Sequence, residues 1–401
     1  MLCWLKKQAI RWRRERRGVA LLMVLITVAV LVVLVMDFSY RVFVEVQSAA
    51  NLRDSIRARY LARSAMNLAR LVLYFQGQAD RVTGGTLKLY QLIPIESDLA
   101  RALTSSEFAS AFGLEGANLG EGRGFMDFEG SFSAEITDEY SKININALDS
   151  ITSIAAPVTA QLLALIGQPR YQHLFEEADA DGQYTSPAEV VLALHDWIDA
   201  DTTTDSFNPE VLLADPFSQA NLFLPGTGAE DSRYDMLRDP YKNKNDPFFS
   251  LDELYLVRGI GDDFMEAFGD RLTVYTDPSL LINLTSVNDP LQLLAVLCMQ
   301  PENAALCSEP GLPRLLEVLA LYFEFRNLMQ FTTFLVPGKD AIASFFQSQG
   351  PVLSPYFMKN LAPFSDTFSI KASGRVGEVE VVLRAVVKNT ASGQEVVYWR
   401  E

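Results

Sequence analysis

An unbroken apolar run near the N-terminus constrains this chain more than any other feature. Val19–Met36 is an 18-residue stretch that is apolar apart from Thr27, and Asp37 ends it. At about 1.5 Å per residue, a helix of this length is just sufficient to cross the hydrocarbon core of a bilayer. The run therefore predicts a transmembrane helix over residues 19–36.

The charges around this run predict its orientation. Residues 1–36 carry seven Lys and Arg against Glu15 alone, and all seven precede the run. By the positive-inside rule the N-terminus is cytoplasmic, and residues 37–401 lie on the other side of the membrane. A cleaved secretory signal peptide is the alternative. It is disfavoured because no Ala-x-Ala site follows and residues 36–40 are bulky.

The apolar run continues into an amphipathic pattern without a helix breaker. No Pro or Gly occurs between Val19 and Gln76. Beyond Asp37, apolar residues recur every three or four positions, which predicts one continuous helix to Gln76. These positions are Val42, Val46, Ala49, Leu52, Ile56, Tyr60, Ala65, Leu68, Val72 and Phe75.

Composition excludes several classes of function for the rest of the chain. The net charge is −16, and residues 37–401 hold 27 basic against 49 acidic groups, so phosphate backbones would be repelled and nucleic-acid binding is excluded. Only His173 and His195 are present, which leaves little for zinc or general-base chemistry. No phosphate loop or nucleophile elbow occurs, so we expect no enzyme; a paired-carboxylate hydrolase is the surviving catalytic alternative.

The periodicity of the remaining sequence predicts an α+β fold. Residues 125–146 alternate as a strand, with 128, 130, 132, 134 and 136 on one face, and Phe368–Arg400 is also rich in strands. Helical patterns fill much of 151–270, and strands are expected again from Arg271, including 272–275 and 281–284. A weak repeat relates Ile145-Asn146 and its following helix to Ile282-Asn283 and its helix. We expect an antiparallel sheet domain with an inserted helical domain.

Several motifs carry a resemblance to a known family. Arg16-Arg17-Gly18-Val19 ahead of the apolar run resembles a prepilin-peptidase site. In the chain body, Asp138–Asn146, Asp196–Asp201, Gly228–Tyr234, Pro240–Asn245 and Ser250–Gly259 resemble, in order, motifs of the K-type minor pseudopilins of type II secretion. Met23 occupies the fifth mature position, where most pilins carry Glu, and the K type characteristically lacks that Glu.

The resemblance implies cleavage after Gly18 and N-methylation of Val19. It also implies a structural subunit at the tip of a periplasmic pseudopilus, anchored in the bacterial inner membrane by a single pass, that initiates assembly and takes part in protein secretion. The partners implied are prepilin peptidase, other minor pseudopilins and the major pseudopilin. A minor pilin of a type IV pilus or competence filament is the alternative.

Pattern and resemblance together predict the division of the chain. It comprises a basic leader (1–18), a transmembrane helix (19–36), its amphipathic extension (37–76), the first part of a pilin-like domain (77–146), an inserted α-helical domain (147–270) and the second part of the pilin-like α/β domain (271–401). Cys298 and Cys307, nine residues apart, can form a disulfide in an oxidising compartment.

Two acidic loops are candidates for a structural Ca²⁺ site. Their carboxylates repel one another, and a cation with six to eight oxygen ligands would relieve that repulsion. A solvated acidic surface is the alternative, and the resemblance favours calcium because the family associates these loops with it. Asp179–Tyr184 begins like an EF-hand loop but lacks its final Glu. The predicted ligands are Asp199, Asp201, Asp205, Glu230, Asp231 and Asp235.

Overall fold

The computed structural model describes residues 2–97, 129–176, 184–208, 211, 220–237 and 239–401, and for residues 2–18 it describes the backbone alone. The loop at Asp179 lies mostly outside these residues, as does the first part of the strand expected from residue 125.

One helix dominates the N-terminal part. Helix α1 spans Leu2–Thr83, which confirms the continuous helix predicted over 19–76 and extends it at both ends. Gly84 (φ 62°) and Gly85 (φ 80°) follow it in left-handed conformations that glycine adopts without strain. From Val19 onward the helix is long and apolar enough to cross a membrane, and its most apolar window has no buried residue.

The second half of α1 packs on an antiparallel sheet. The described residues form five strands in the order β1 (Ile95–Glu96), β2 (Ser131–Asp138), β7 (Thr367–Val376), β8 (Val379–Thr390) and β9 (Gly393–Arg400). All neighbouring strands are antiparallel. Phe132 is buried, Ala134 and Ile136 are partly buried, and the intervening Ser133 and Glu135 are exposed. The alternation predicted for this strand is therefore confirmed over these positions.

Small residues allow α1 to approach this sheet closely. Ala58, Ala62, Ala65 and Ala69 follow helical spacing and are fully buried. Opposite them, Gly374 of β7 leaves no room for a side chain, because a Cβ there would lie 2.1 Å from the Ala58 carbonyl oxygen. Helix and sheet enclose one hydrophobic core that includes Met66, Leu73, Phe132, Phe368, Ile370 and Leu383.

The helical part is inserted between β2 and β7. A short helix α2 (Leu89–Leu92) precedes β1 and is not part of the insert. The helices of the insert are α3 (Thr152–Ile166), α4 (His173–Glu176), α5 (Pro187–Ile198), α6 (Asp262–Phe268), α7 (Pro290–Cys298), α8 (Ala304–Cys307), α9 (Leu312–Thr333), α10 (Lys339–Gln349) and α11 (Pro355–Asn360). Two short strand pairs accompany them: parallel β3 (Ile143–Asn144) with β6 (Leu272–Thr273), and the antiparallel hairpin β4 (Thr203–Phe207) with β5 (Phe223–Ala229).

The inserted part has its own hydrophobic core, which runs from Ile143 to Leu361. The α+β class, with a long N-terminal helix, an antiparallel sheet and inserted helices, is thus confirmed. The core reaches well beyond residue 270, so residues 272–361 pack with the insert and only residues from 367 return to the sheet. The structure therefore places the end of the insert later in the chain than the expected boundary at 270.

The strand predicted over 281–284 differs from the structure. Leu281 makes only an isolated bridge to Leu361, and Leu284–Ser286 form a 3₁₀ turn. The Asn283 side chain causes this, because its oxygen accepts the Thr285 amide at 3.1 Å and so favours a turn over an extended ladder. Leu251–Leu256, within the region of helical patterns, form a 3₁₀ helix.

Buried polar contacts join the two cores. Lys88, which follows α1, is 2% exposed and donates from Nζ to Ser286 Oγ at 3.0 Å. Its ammonium lies 4.0 Å from Asp138 Oδ2 at the end of β2.

A disulfide between Cys298 and Cys307, whose Cα atoms are 5.6 Å apart, links α7 to α8 within the inserted part.

Candidate functional sites

The acidic residues predicted as ligands lie where a helix end meets a hairpin. Helix α5 begins with a capping box, in which Ser186 Oγ accepts the Glu189 amide and the Glu189 carboxylate accepts the Ser186 amide. The helix ends at Ile198, so Asp199 follows directly. Asp201 and Asp205 belong to the start of hairpin β4–β5, and Glu230 follows its end.

An aromatic cluster fixes the end of α5. Trp197 is buried and packs edge-on against Tyr234 (5.6 Å between ring centroids) and Tyr241 (6.2 Å). It stacks on Phe248 at 6.3 Å. Because Trp197 sits between Asp196 and Asp199 in sequence, this packing holds both carboxylates in place.

The structure brings the carboxylates into two overlapping groups. Asp199, Asp201 and Glu230 each offer an oxygen within 4.8 Å of the others. Asp199 and Asp205 form a second group of the same tightness with His195 and Asp196. Four of the six predicted ligands thus converge, and the prediction omitted His195 and Asp196.

Asp231 and Asp235 lie outside both groups. The Asp231 carboxylate accepts the Asn243 amide at 3.1 Å and is 3.6 Å from Lys242 Nζ. Asp235 is exposed to solvent. The prediction that Asp231 and Asp235 are ligands therefore has no support from the converging oxygens.

Hydrogen bonds position the converging side chains. Asp196 Oδ1 accepts the Asp205 amide at 3.0 Å, and Asp201 Oδ1 accepts the amide and hydroxyl of Thr203 at 2.7 and 2.8 Å. Asn243 Nδ2 donates to Glu230 Oε2 at 3.0 Å. These bonds fix one oxygen of the Asp196, Asp201 and Glu230 carboxylates, and the other oxygen of Asp196 lies 3.9 Å from Arg233 Nη1.

Several buried oxygens around the cluster accept no hydrogen bond among the described residues. They are Asp196 Oδ2, Asp199 Oδ1, Glu230 Oε1, Asn243 Oδ1 and Asn245 Oδ1. Asp196 and Glu230 are each only 2% exposed. A buried oxygen without a donor is costly, and a hard cation satisfies several at once. The donor set is therefore one that fits Ca²⁺.

The electrostatics point the same way. Burial, followed by the charges of Glu230, Asp201, Asp205 and Asp196, raises the pKa of Asp199 to about 8. Burial raises the pKa of Asp196 to about 7 and that of Asp205 to about 6. Burial lowers the pKa of His195 to about 4. Without a cation the cluster retains protons near neutrality, because so many carboxylates cannot ionise together out of water.

The predicted processing site lies within α1. Gly18 and Val19 belong to this helix, and the side chains before Val19 are outside the described part. Met23 is 62% exposed and lies in the apolar half of the helix. No described partner covers this half, as expected for a segment whose solvent is lipid.

An exposed apolar helix that continues onto an antiparallel sheet defines the class of pilin-like proteins with a single-pass membrane anchor. No family profile matches the chain. It is 25% identical over 287 residues to type II secretion system protein K of Klebsiella pneumoniae, covering 71% of this chain and 70% of that protein. It is 22% identical over 355 residues to the K protein of Aeromonas hydrophila, covering 79% and 89%. The chain is therefore homologous to type II secretion system protein K.

One solved structure is also similar. It is the crystal structure of the GspK–GspI–GspJ complex from enterotoxigenic Escherichia coli, with a TM-score of 0.44 and 17% identity. The similarity covers 76% of this chain and 95% of the matched chain.

Proposed function

We propose that this protein is a minor pseudopilin at the tip of a type II secretion pseudopilus, where it initiates filament assembly and supports protein secretion across the outer membrane. The observation that carries the proposal is the sequence relationship to two K proteins along 71% and 79% of the chain. We infer a structural role, because the relatives are K proteins of type II secretion.

The charges beside the membrane helix support one orientation of the chain across the membrane. The seven basic residues before the apolar run favour a cytoplasmic N-terminus, and the body then lies in the periplasm. Processing after Gly18 would leave Val19 as the mature terminus. The oxidising periplasm would also maintain the disulfide between Cys298 and Cys307.

Met23 supports a position at the filament end. A pilin subunit within a filament pairs a Glu in its apolar helix with a neighbouring terminal amine, because an unpaired charge in lipid is costly. The apolar Met23 provides no such carboxylate. This suits a subunit that need not stack beneath another. The proposed neighbours are the counterparts of GspI and GspJ, with the major pseudopilin below them and prepilin peptidase as the processing enzyme.

We further propose that Ca²⁺ binds between Asp199, Asp201 and Glu230. It would fasten the end of α5 to both ends of hairpin β4–β5, and so stabilise the surface of the inserted part. The free oxygens of Asp199 and Glu230 support this assignment.

Labelling of assembled filaments tests the position. An epitope on the exposed β8–β9 turn at Ala391-Ser392 should bind immunogold at one end of overproduced pseudopili, with few copies per fibre. The same epitope on the major pseudopilin is the control and should decorate the whole length. Labelling of this protein along the whole fibre would contradict a tip position.

A further inference from the structure

The helices of the two repeat copies, α3 and α7, pack against each other inside the inserted part. Each carries the same run of Gln, two Leu and Ala, which is Gln161–Ala164 in α3 and Gln292–Ala295 in α7. Both Gln residues and both Ala residues of these runs line one small cavity between the helices. The two copies of the repeat therefore meet at matching faces.

Three buried polar atoms of residues that line this cavity have no hydrogen-bond partner among the described residues. They are Gln161 Oε1, Gln292 Nε2 and Arg271 Nη1. Gln161 as a whole is only 2% exposed. Arg271 directly precedes β6, and its other terminal nitrogen, Nη2, lies 3.2 Å from Asp289 Oδ2 at the start of α7. Since buried polar groups are costly when they remain unpaired, we expect a polar ligand in the cavity.

The orientation of the Gln161 amide determines which kind of ligand fits. Its Nε2 donates to the Pro157 carbonyl oxygen at 3.3 Å, so its Oε1 is an acceptor that needs a donor. Gln292 Nε2 and Arg271 Nη1 are donors that need an acceptor. A water molecule offers both functions. The guanidinium would repel a cation, and an anion could not donate to Gln161 Oε1.

We propose that one water molecule binds between α3, α7 and the start of β6 as a permanent part of the fold. The space open to the centre of a water molecule is about 20 Å³, and one water needs roughly 10–15 Å³ of such space. The water accepts from Gln292 Nε2 and Arg271 Nη1 and donates to Gln161 Oε1. It thus makes about three hydrogen bonds, which is typical of buried water, and it joins the two copies of the repeat.

The competing arrangement is a direct hydrogen bond from Gln292 Nε2 to Gln161 Oε1 after a change of rotamer. That bond would leave Arg271 Nη1 without an acceptor. The two arrangements differ in one observable, which is the presence of electron density between the two amide groups. The inference is independent of filament assembly, because it concerns the fold of the inserted part alone.

A crystal structure of the full chain, at a resolution that shows ordered water, tests the proposal. Density for one water should lie within about 3.2 Å of Gln161 Oε1, Gln292 Nε2 and Arg271 Nη1. Gln161→Leu should remove that density. Gln172→Leu is the matched control and should retain it, because Gln172 is exposed, lies outside the cavity and donates to Glu176 Oε1 at 2.7 Å.

Melting of the full chain in detergent gives a second readout. Gln161→Leu and Gln292→Leu should each lower the melting temperature, and the double variant should lower it by clearly less than the sum of the two losses. The second substitution removes a group that the first has already left unpaired. Additive losses, a direct contact between the two amides in the density, or an anomalous signal at this position in bromide-soaked crystals would each overturn the proposal. If Gln161→Leu does not fold, the density in the unsubstituted protein and in Gln292→Leu decides.

Discussion

Single small residues determine how closely the membrane helix α1 packs on the sheet. We expect Gly374→Ala to destabilise the protein by about 3 kcal/mol or more, at the upper end of overpacking costs. The added Cβ would lie 2.1 Å from Ala58 O and 2.5 Å from Ala62 N, and backbone cannot yield as a flexible side chain can. Urea denaturation of the full chain in detergent measures the change.

Gly261→Ala is the control for this substitution. Gly261 has φ −125°, and no atom lies within 4 Å of the position that a Cβ would take. Its replacement should therefore lower the free energy of unfolding by at most about 1 kcal/mol. Equal stability losses in the two variants would show that the contact between Gly374 and α1 is not tight.

A second residue controls the pH dependence of the region where α1 ends. Burial raises the pKa of Asp80 to about 6, although Lys88 and the Gln76 hydrogen bond act in the opposite direction. The pKa of Asp80 in the unfolded chain is about 3.9. Ionisation of the buried carboxyl therefore destabilises the folded state. The stability present below about pH 4 is lost as the pH rises through about 6.

Asp80→Asn should therefore stabilise the protein at pH 7.5, by about 1–2 kcal/mol, because it removes that ionisation. The advantage should shrink as the pH falls through about 4.5 and vanish below about pH 4. Asn retains an oxygen for the bond that Gln76 Nε2 makes to Asp80 Oδ1 at 2.7 Å. Denaturation midpoints across this pH range, with the exposed Glu96→Gln as control, measure the effect; a pH-independent difference would contradict the mechanism.

At the scale of elements, the proposed cation would join the end of α5 to the hairpin. We expect Ca²⁺ to raise the melting temperature by several degrees and chelator to reverse it, since binding at a hundredfold excess over Kd stabilises the folded state by about 2.7 kcal/mol. Asp201→Ala or Glu230→Ala should abolish the response, and Asp235→Ala, outside both groups, should retain it. Superimposable melting curves with calcium and with chelator would show that these loops are a solvated acidic surface.

The elements also show how far sequence patterns reach. The sequence pattern predicts helices over 187–198 and 339–349, and α5 and α10 have these bounds, because Pro or Gly and a polar residue mark their starts. The internal repeat predicted from the sequence is present, but the structure aligns its two copies two residues away from the predicted alignment. Asn144 and Asn283 play the equivalent capping role, each accepting an amide two residues on, so Ile143-Asn144 and not Ile145-Asn146 matches Ile282-Asn283.

Other features depend on contacts distant in sequence. The sequence gives no reason to assign a role to His195, because two histidines are few for zinc or general-base chemistry. The fold nevertheless places His195 beside Asp205, ten residues later. The spacing of His195, Asp196 and Asp199 around one helix end was the available signal. The end of the insert could not be located either, since helices over 290–360 carry no mark of which core they join.

At the scale of the whole molecule, buried polar contacts join the two hydrophobic cores, and α1 extends from one of them as the membrane helix. The helix α1 belongs to the sheet core, and Lys88 ties that core to the inserted part through Ser286. The apolar half of α1 remains exposed for lipid. In the proposed tip position, a filament would hold the protein by its helix and leave the inserted part free.

Secretion in the organism that carries the gene tests this account most directly. Deletion of the gene should trap type II substrates in the periplasm, and the wild-type gene supplied in trans should restore their release. A variant truncated before Asp37, which folds no sheet, is the negative control. Normal secretion in the deletion strain, accompanied by loss of surface pili or of DNA uptake, would contradict the account and favour a minor pilin of another filament.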